Sequence, residues 1–315
     1  MKNSYYMMLS VCVPTYNHEN YIVKALDSIL MQKTDYKFEV LVGEDCSTDS
    51  TREILKEYEA NHPGKFQVFY REQNMHKTSC SNARDLKLRC KGKYIVTLEG
   101  DDFWTDEYKL QKQISFLESH PEYYAVSHKC VVVGENSLPN GETYPQCEET
   151  EYSFKHFFSE IMPGQLATLM YRNIYLDEDF DESLTSKGLT PGDRLLYFSL
   201  LCHGKVYCMQ EVMSAYRHIT THGSSFSATN KFNYSRQKAW NYELMEFSRK
   251  YCDRKVIINT EYLYFYTILK SMLLKQISVS QAFSDCRSIK HKIAVVFVGL
   301  KRFINKRVFK IKLFA

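Results

Sequence analysis

The chain has 315 residues, 44% hydrophobic and 25% charged, which suits a soluble globular protein of one large α/β domain or two smaller ones. Its net charge of +4 is confined to one end: residues 287–315 hold nine Lys or Arg and no acid, leaving a net −5 elsewhere, which argues against nucleic-acid binding. Ten cysteines contain no CxxC pair, so neither a zinc site nor a disulfide framework is indicated, and reduced cytosolic thiols are expected.

The N-terminus lacks a basic segment followed by an apolar core and a cleavage site, so no signal peptide is expected. Residues 9–14 read as a strand that stops at Pro14. Tyr21, Ile22, Ala25, Leu26, Ile29 and Leu30 then share one helical face, with Asn17 or His18 where a cap belongs. A second strand spans 38–42 and runs into the polar turn 43–49; a helix around 54–58 ends before Pro63. Residues 66–70 form a third strand, 78–90 a helix and 94–98 a fourth strand. A helix over 107–118, a strand over 123–133 and a hairpin within 123–152, signalled by Pro139-Asn140-Gly141, follow. Further on, 154–158 and 191–202 read as helices and 206–216 as a strand; from about 231 the chain is mostly helical. Short apolar strands alternating with helices predict a mainly parallel sheet with helices on both faces, whose ligands bind at the carboxyl ends of the strands.

The polar clusters after Pro14, after Val42 and after Leu98 all fall at such ends. The last of them, Leu98-Glu99-Gly100-Asp101-Asp102-Phe103-Trp104, packs three carboxylates into four positions. In extended backbone Glu99 and Asp101 would share a face and Asp102 would point the other way. Their mutual repulsion needs compensation, which a hard divalent cation with oxygen ligands supplies; an acidic turn is the plainer alternative. Neither GxGxxG nor GxxxxGK[ST] occurs, and no two of the twelve glycines lie two apart, so neither a dehydrogenase-type dinucleotide site nor a P-loop is supported. A metal held by the acidic loop would neutralise a bound diphosphate in place of a glycine cradle.

Taken together, Val13-Pro14-Thr15-Tyr16-Asn17, Val42 to Asp49, Asn82-Ala83-Arg84 and Leu98 to Trp104 resemble, in order, the nucleotide-sugar domain of family 2 glycosyltransferases. The likeness covers roughly residues 8–225. It implies a GT-A-type, Rossmann-like sheet flanked by helices, as a domain over 1–228 with a nucleotide-sugar half and an acceptor half. A helical region over 229–315, ending in a basic tail, would follow. It further implies inverting transfer of a sugar from a UDP-sugar to a glycan acceptor, with Mn²⁺ or Mg²⁺ as cofactor. Pro14, Tyr16, Asn17 and Asp45 would line the uracil and ribose pocket, and Arg84 would face the nucleotide or its diphosphate. Asp101 would bind the metal, with Glu99 and Asp102 beside it. Glu44 and Glu99 stand where the family usually has Asp, and the longer side chains would reach the ribose or a metal-bound water.

The family's general base is an acidic residue just before a helix, downstream of the metal motif. Asp193 in Pro191-Gly192-Asp193-Arg194 matches that place; without the resemblance it reads as a plain helix N-cap. His222, before Gly223-Ser224-Ser225, would be a metal ligand or phosphate donor closing the site, or else a satisfied loop histidine. Trp104 would form an aromatic floor for the acceptor sugar or pack the loop, and Gln165 would face the acceptor. A sugar-phosphate nucleotidyltransferase and a non-catalytic nucleotide-sugar-binding subunit are the competing functions; the missing glycine-rich triphosphate loop argues against the first, and Asp101 together with Asp193 against the second.

The tail's longest apolar run, 293–300, is far short of the ~20 residues needed to span a bilayer. With its flanking cations it reads as a helix lying on an anionic membrane surface, or as a basic helix for another partner. The expected location is therefore the cytoplasm, peripheral on the inner face of the cytoplasmic membrane, with a lipid-linked acceptor. Gln237-Lys238-Ala239-Trp240 falls one residue short of the Q-x-x-R-W of processive relatives, which favours single addition.

Overall fold

A computed structural model describes residues 7–75, 80–189, 191–219 and 233–299. The chain divides into two compact units, Met1–Asn230 and Lys231–Ala315.

The first unit starts with alternating strands and helices. β1 (Leu9–Thr15), β2 (Phe38–Glu44), β3 (Gln67–Tyr70) and β4 (Tyr94–Thr97) are parallel and lie in the order β3-β2-β1-β4. Helices cover both faces of such a sheet, so its strands are apolar throughout rather than alternating. β1 accordingly buries Leu9, Val11, Cys12 and Val13 completely. α1 (Ile22–Leu30) buries Ile22, Ala25, Leu26 and Ile29, the one-sided spacing expected of a helix against a sheet. Its start is not capped by Asn17 or His18: the N-cap is Tyr21, without a side-chain bond, and Asn17 is a left-handed turn residue at φ 56°. α2 (Thr51–Asn61) follows as expected. α3 (Asn82–Arg89) begins where the Ser81 hydroxyl accepts from the Arg84 backbone amide.

Beyond β4 the sheet becomes mixed. β5 (Phe103–Trp104), β6 (Tyr123–Val133), β7 (Glu151–Tyr152), β8 (Met170–Arg172) and β9 (Lys205–Arg217) complete nine strands among the described residues, with α4 (Lys109–Ser119), α5 (Phe154–Phe158) and α6 (Gly192–His203) between them. The order continues β4-β8-β6-β9-β5, with β7 also on β9. The hairpin expected within 123–152 is reduced to an isolated bridge, Val133 to Pro139. β6 and β7 pair instead with the 13-residue β9, parallel and antiparallel respectively. A long strand from far down the chain offers more ladder bonds than a local turn does.

In the second unit α7 (Tyr234–Tyr251) and α8 (Arg254–Leu273) pack together, joined by buried polar pairs: Asn241 donates to Thr267 at 2.7 Å, and Ser248 meets Thr260 at 2.8 Å. α9 (Val279–Asp285) and a helix over 289–299 close its core around Met245, Tyr264, Ile268, Met272 and Val295. Among the described residues no helix is long and apolar enough to cross a membrane.

Candidate active site

The loops leaving β1, β2 and β4 are stitched together by backbone. The Asp45 amide donates to the Thr15 carbonyl at 3.0 Å, and the Gly100 amide donates to the Pro14 carbonyl at 3.1 Å. A side chain at Gly100 would lie 2.6 Å from the Thr15 hydroxyl and 2.7 Å from His18 Nδ1, so only glycine lets the acidic loop close onto β1. The Asn17 amide donates to the Ser47 hydroxyl at 3.0 Å, and Asn17 Oδ1 accepts from the Thr48 amide at 2.8 Å, clamping the first loop to the second.

Glu99, Asp101 and Asp102 do not follow strand alternation. A turn closes in which the Asp102 amide donates to the Glu99 carbonyl at 3.0 Å, and it gathers one oxygen from each carboxylate within 4.8 Å of the others. All three therefore converge, because the extended backbone ends at Thr97. Burial pushes the Glu99 carboxyl up to about 8; Asp101 and Asp193 add to the push and Lys87 opposes it. Burial, then Asp101 and Glu99, likewise hold Asp102 well above the carboxylate range against Arg217. Three hard oxygen donors in so small a space, with two carboxyls disfavoured as anions, fit a Mg²⁺- or Mn²⁺-sized cation; protons and the cation would compete for them.

Two residues that sequence reasoning did not assign to the site support the loop. Arg217, at the end of β9, is 4% exposed. Its backbone amide donates to Asp102 Oδ1 at 2.7 Å, its Nε to the Asp101 carbonyl at 2.9 Å, and its Nη atoms to Glu135 O at 2.9 Å and Ser137 Oγ at 2.8 Å. The guanidinium also lies 4.1 Å from the Tyr21 ring centre. An arginine ending a long apolar strand was the available signal. Lys87, on α3, has its pKa lowered by burial, while the Cys12 and Cys90 thiols, Glu99 and Asp193 pull it the other way. His18 Nε2 stands 3.8 Å from Asp101 Oδ2.

Asp193 sits in the first turn of α6, whose N-cap is Pro191. Its carboxylate accepts from the adjacent Arg194 amide at 2.8 Å and not from the cap-type amides further on. Burial raises its pKa; the Arg194 amide, the Arg194 charge and Lys87 oppose the rise. Its charge acts on Glu99, so the head of α6 and the acidic loop share one electrostatic neighbourhood. Pro14 and Tyr16 are half-buried at the end of β1. Asp45 is buried and accepts from the Met75 amide at 2.7 Å.

Several expected roles change on the structure. Glu44 is fully buried, accepting from the Ser47 amide at 2.6 Å and paired with Arg52, so it holds the β2 loop rather than reaching outward. Trp104 is 1% exposed within β5; its indole donates to the Ala167 carbonyl at 3.1 Å, and the Lys109 ammonium lies 4.2 Å from its ring centre. It is a core residue and not an acceptor floor, because β5 pairs with β9 and turns the loop inward. Gln165 is 5% exposed and donates to Asp102 Oδ2 at 2.9 Å, so it braces the acidic loop. Each Asp102 oxygen already accepts one hydrogen bond, from Gln165 and from the Arg217 amide, and keeps a second lone pair for a cation. Arg84 donates to Glu182 at 3.1 Å through Nη2, while its buried Nη1 has no hydrogen-bond partner among the described residues and retains a donor for an anion. His222 lies outside the described residues.

Comparison with known proteins bears on this geometry. The family model described as glycosyl transferase family 2 matches residues 10–175. An uncharacterized protein of Mycobacterium tuberculosis is 30% identical over 74% of this chain, and the chain spans only 63% of that relative's length. The poly(ribitol-phosphate) beta-N-acetylglucosaminyltransferase TarS of Staphylococcus aureus is 30% identical over 57% of this chain and 30% of its own. The crystal structure of TarS residues 1–349 with UDP-GlcNAc superposes with a TM-score of 0.60 at 20% identity, over 92% of this chain and 79% of that one. The mannosyltransferase PcManGT of Pyrobaculum calidifontis, in complex with GDP-Man and Mn²⁺, gives 0.52 at 17% identity, over 94% and 80%. These structural likenesses establish the shared GT-A fold.

Proposed function

The chain belongs to glycosyl transferase family 2, and from that premise we propose that it moves one sugar from a UDP-sugar to a hydroxyl of a glycan acceptor, with inversion. The observation that carries the reading is the convergence of Glu99, Asp101 and Asp102 at the end of β4, in the same electrostatic neighbourhood as Asp193 at the head of α6. Asp193 takes the proton from the acceptor hydroxyl; that oxygen forms the new bond to the anomeric carbon as the bond to UDP breaks on the opposite side. Burial holds the Asp193 pKa up, which makes its carboxylate a stronger base than an exposed one. Asp101, with Glu99 and Asp102 beside it, would hold Mn²⁺ or Mg²⁺, which supplies positive charge against the departing diphosphate. Pro14, Tyr16, Asn17 and Asp45 face the nucleoside, and the spare Nη1 of Arg84 serves the diphosphate.

The UDP preference is supported by TarS, whose crystal structure is a complex with UDP-GlcNAc. The catalytic unit is taken to end near residue 228, with 229–315 as a separate helical region. Its basic end motivates a lipid-linked acceptor met at the inner face of the cytoplasmic membrane, in assembly of a surface polysaccharide. NMR of the product tests the chemistry: an α-linked UDP-sugar should give a β-linked product with release of UDP. An α-linked product would overturn inversion and with it the role of Asp193.

A further inference from the structure

Most helices on a folded unit put their apolar residues inward. The helix over 289–299 buries one apolar side and presents another. Val295 is fully buried in the core of the second unit, and His291 stacks on Phe265 at 4.1 Å, which fixes the inner side. Facing out are Ile289 at 77% exposure, Phe297 at 67%, Ile293 at 50% and Val296 at 40%. At about 100° per residue these four span an arc of about 100°, with Lys290 bordering one edge and Lys292 the other. Phe283 of α9 extends the patch, and Lys292 Nζ lies 5.2 Å from its ring centre. Together these side chains line a groove of about 320 Å³.

We propose that this face docks on an anionic lipid surface, with Ile289, Ile293, Val296 and Phe297 entering the headgroup boundary and Lys290 and Lys292 meeting lipid phosphates. Charge selects this occupant. From Cys286 to Ala315 the chain carries nine Lys or Arg and no acid. The nearest acid before that stretch, Asp285, is taken up by Tyr234, Lys238 and Gln281. Apolar residues between lysines whose stems lie along them are the pattern of a helix in the membrane interface. Because the inner side is already anchored in a folded core, the face is formed before it meets lipid, and binding carries no cost of folding the helix. The inference deepens the lipid-linked acceptor reading and rests on it for its purpose.

Flotation of the full chain with phosphatidylcholine vesicles, with and without phosphatidylglycerol, tests the assignment. The wild type should float with the anionic vesicles only. Ile293→Ser with Phe297→Ser, and separately Lys290→Glu with Lys292→Glu, should each weaken binding about tenfold or more. Calorimetric binding of UDP, measured on the same variants, should be unchanged; it reports on the catalytic reading independently of the docking face. Equal flotation with neutral vesicles overturns the proposal. So does a dimer that the apolar variants dissolve without any vesicle binding, which would assign the face to a second copy. So does full vesicle binding by both variants that is lost on removing residues 300–315, which would assign docking to those residues instead.

Discussion

Asp193→Asn should lower the transfer rate by about 10²- to 10⁴-fold, the usual contribution of a positioned general base. The amide keeps an oxygen to accept from the Arg194 backbone N–H, so α6 should start unchanged and UDP should bind as before. The wild-type pH profile carries the sign of the argument. Burial raises the Asp193 pKa, so the competent carboxylate is lost at a higher pH than for an exposed aspartate. The rate should fall as the pH drops through that raised value, and the limb should vanish from the residual activity of the variant. Steady-state kinetics across pH read both effects. Transfer at the wild-type rate would reduce Asp193 to an ordinary first-turn acid.

Arg217→Met should destabilise the first unit by about 3–5 kcal/mol, the cost of removing one partner from a buried charged cluster. The guanidinium reaches Asp101 O, Glu135 O and Ser137 Oγ from one side chain and sits beside Asp101 and Asp102. Methionine keeps an apolar arm over Tyr21 but supplies none of the donors. Lysine should not rescue it, since one ammonium cannot reproduce a planar fork of five N–H donors. Urea unfolding of both variants measures this; a loss of under about 1 kcal/mol would mean that Arg217 is not the clamp the geometry describes.

Local pattern carried the first half of the molecule. β1, β2 and β4 are short, apolar and bounded by polar turns, so their order, and the polar loops at their carboxyl ends, could be read directly. Asp101 stood out for the same reason. What sequence could not supply was everything decided by β9. That strand captures β5, which buries Trp104 behind the Ala167 carbonyl and so decides for packing a residue whose size and place suited a sugar platform equally. It also delivers Arg217 to Asp102 from 115 residues away. Gln165 reaches Asp102 across 63 residues and is braced there by a hydrogen bond, which no local spacing encodes. The acidic triplet itself was misdirected by the assumption of extended backbone: one turn bond, Asp102 N–H to Glu99 O, brings all three carboxylates to one side. Glu44 shows a smaller version of the same limit, since its partner Arg52 stands eight residues on, in the first turn of α2, and the β2 loop has to fold back to bring them together.

Calorimetric titration of UDP into the full chain, with Mn²⁺ or Mg²⁺ and then with EDTA, tests whether the acidic loop holds a metal for the nucleotide. UDP should bind in a metal-dependent way that EDTA abolishes and that is lost in Asp101→Ala, whose carboxylate belongs to the converging cluster. UDP binding that is indifferent to metal and to Asp101, or no binding of UDP under any of these conditions, would contradict it.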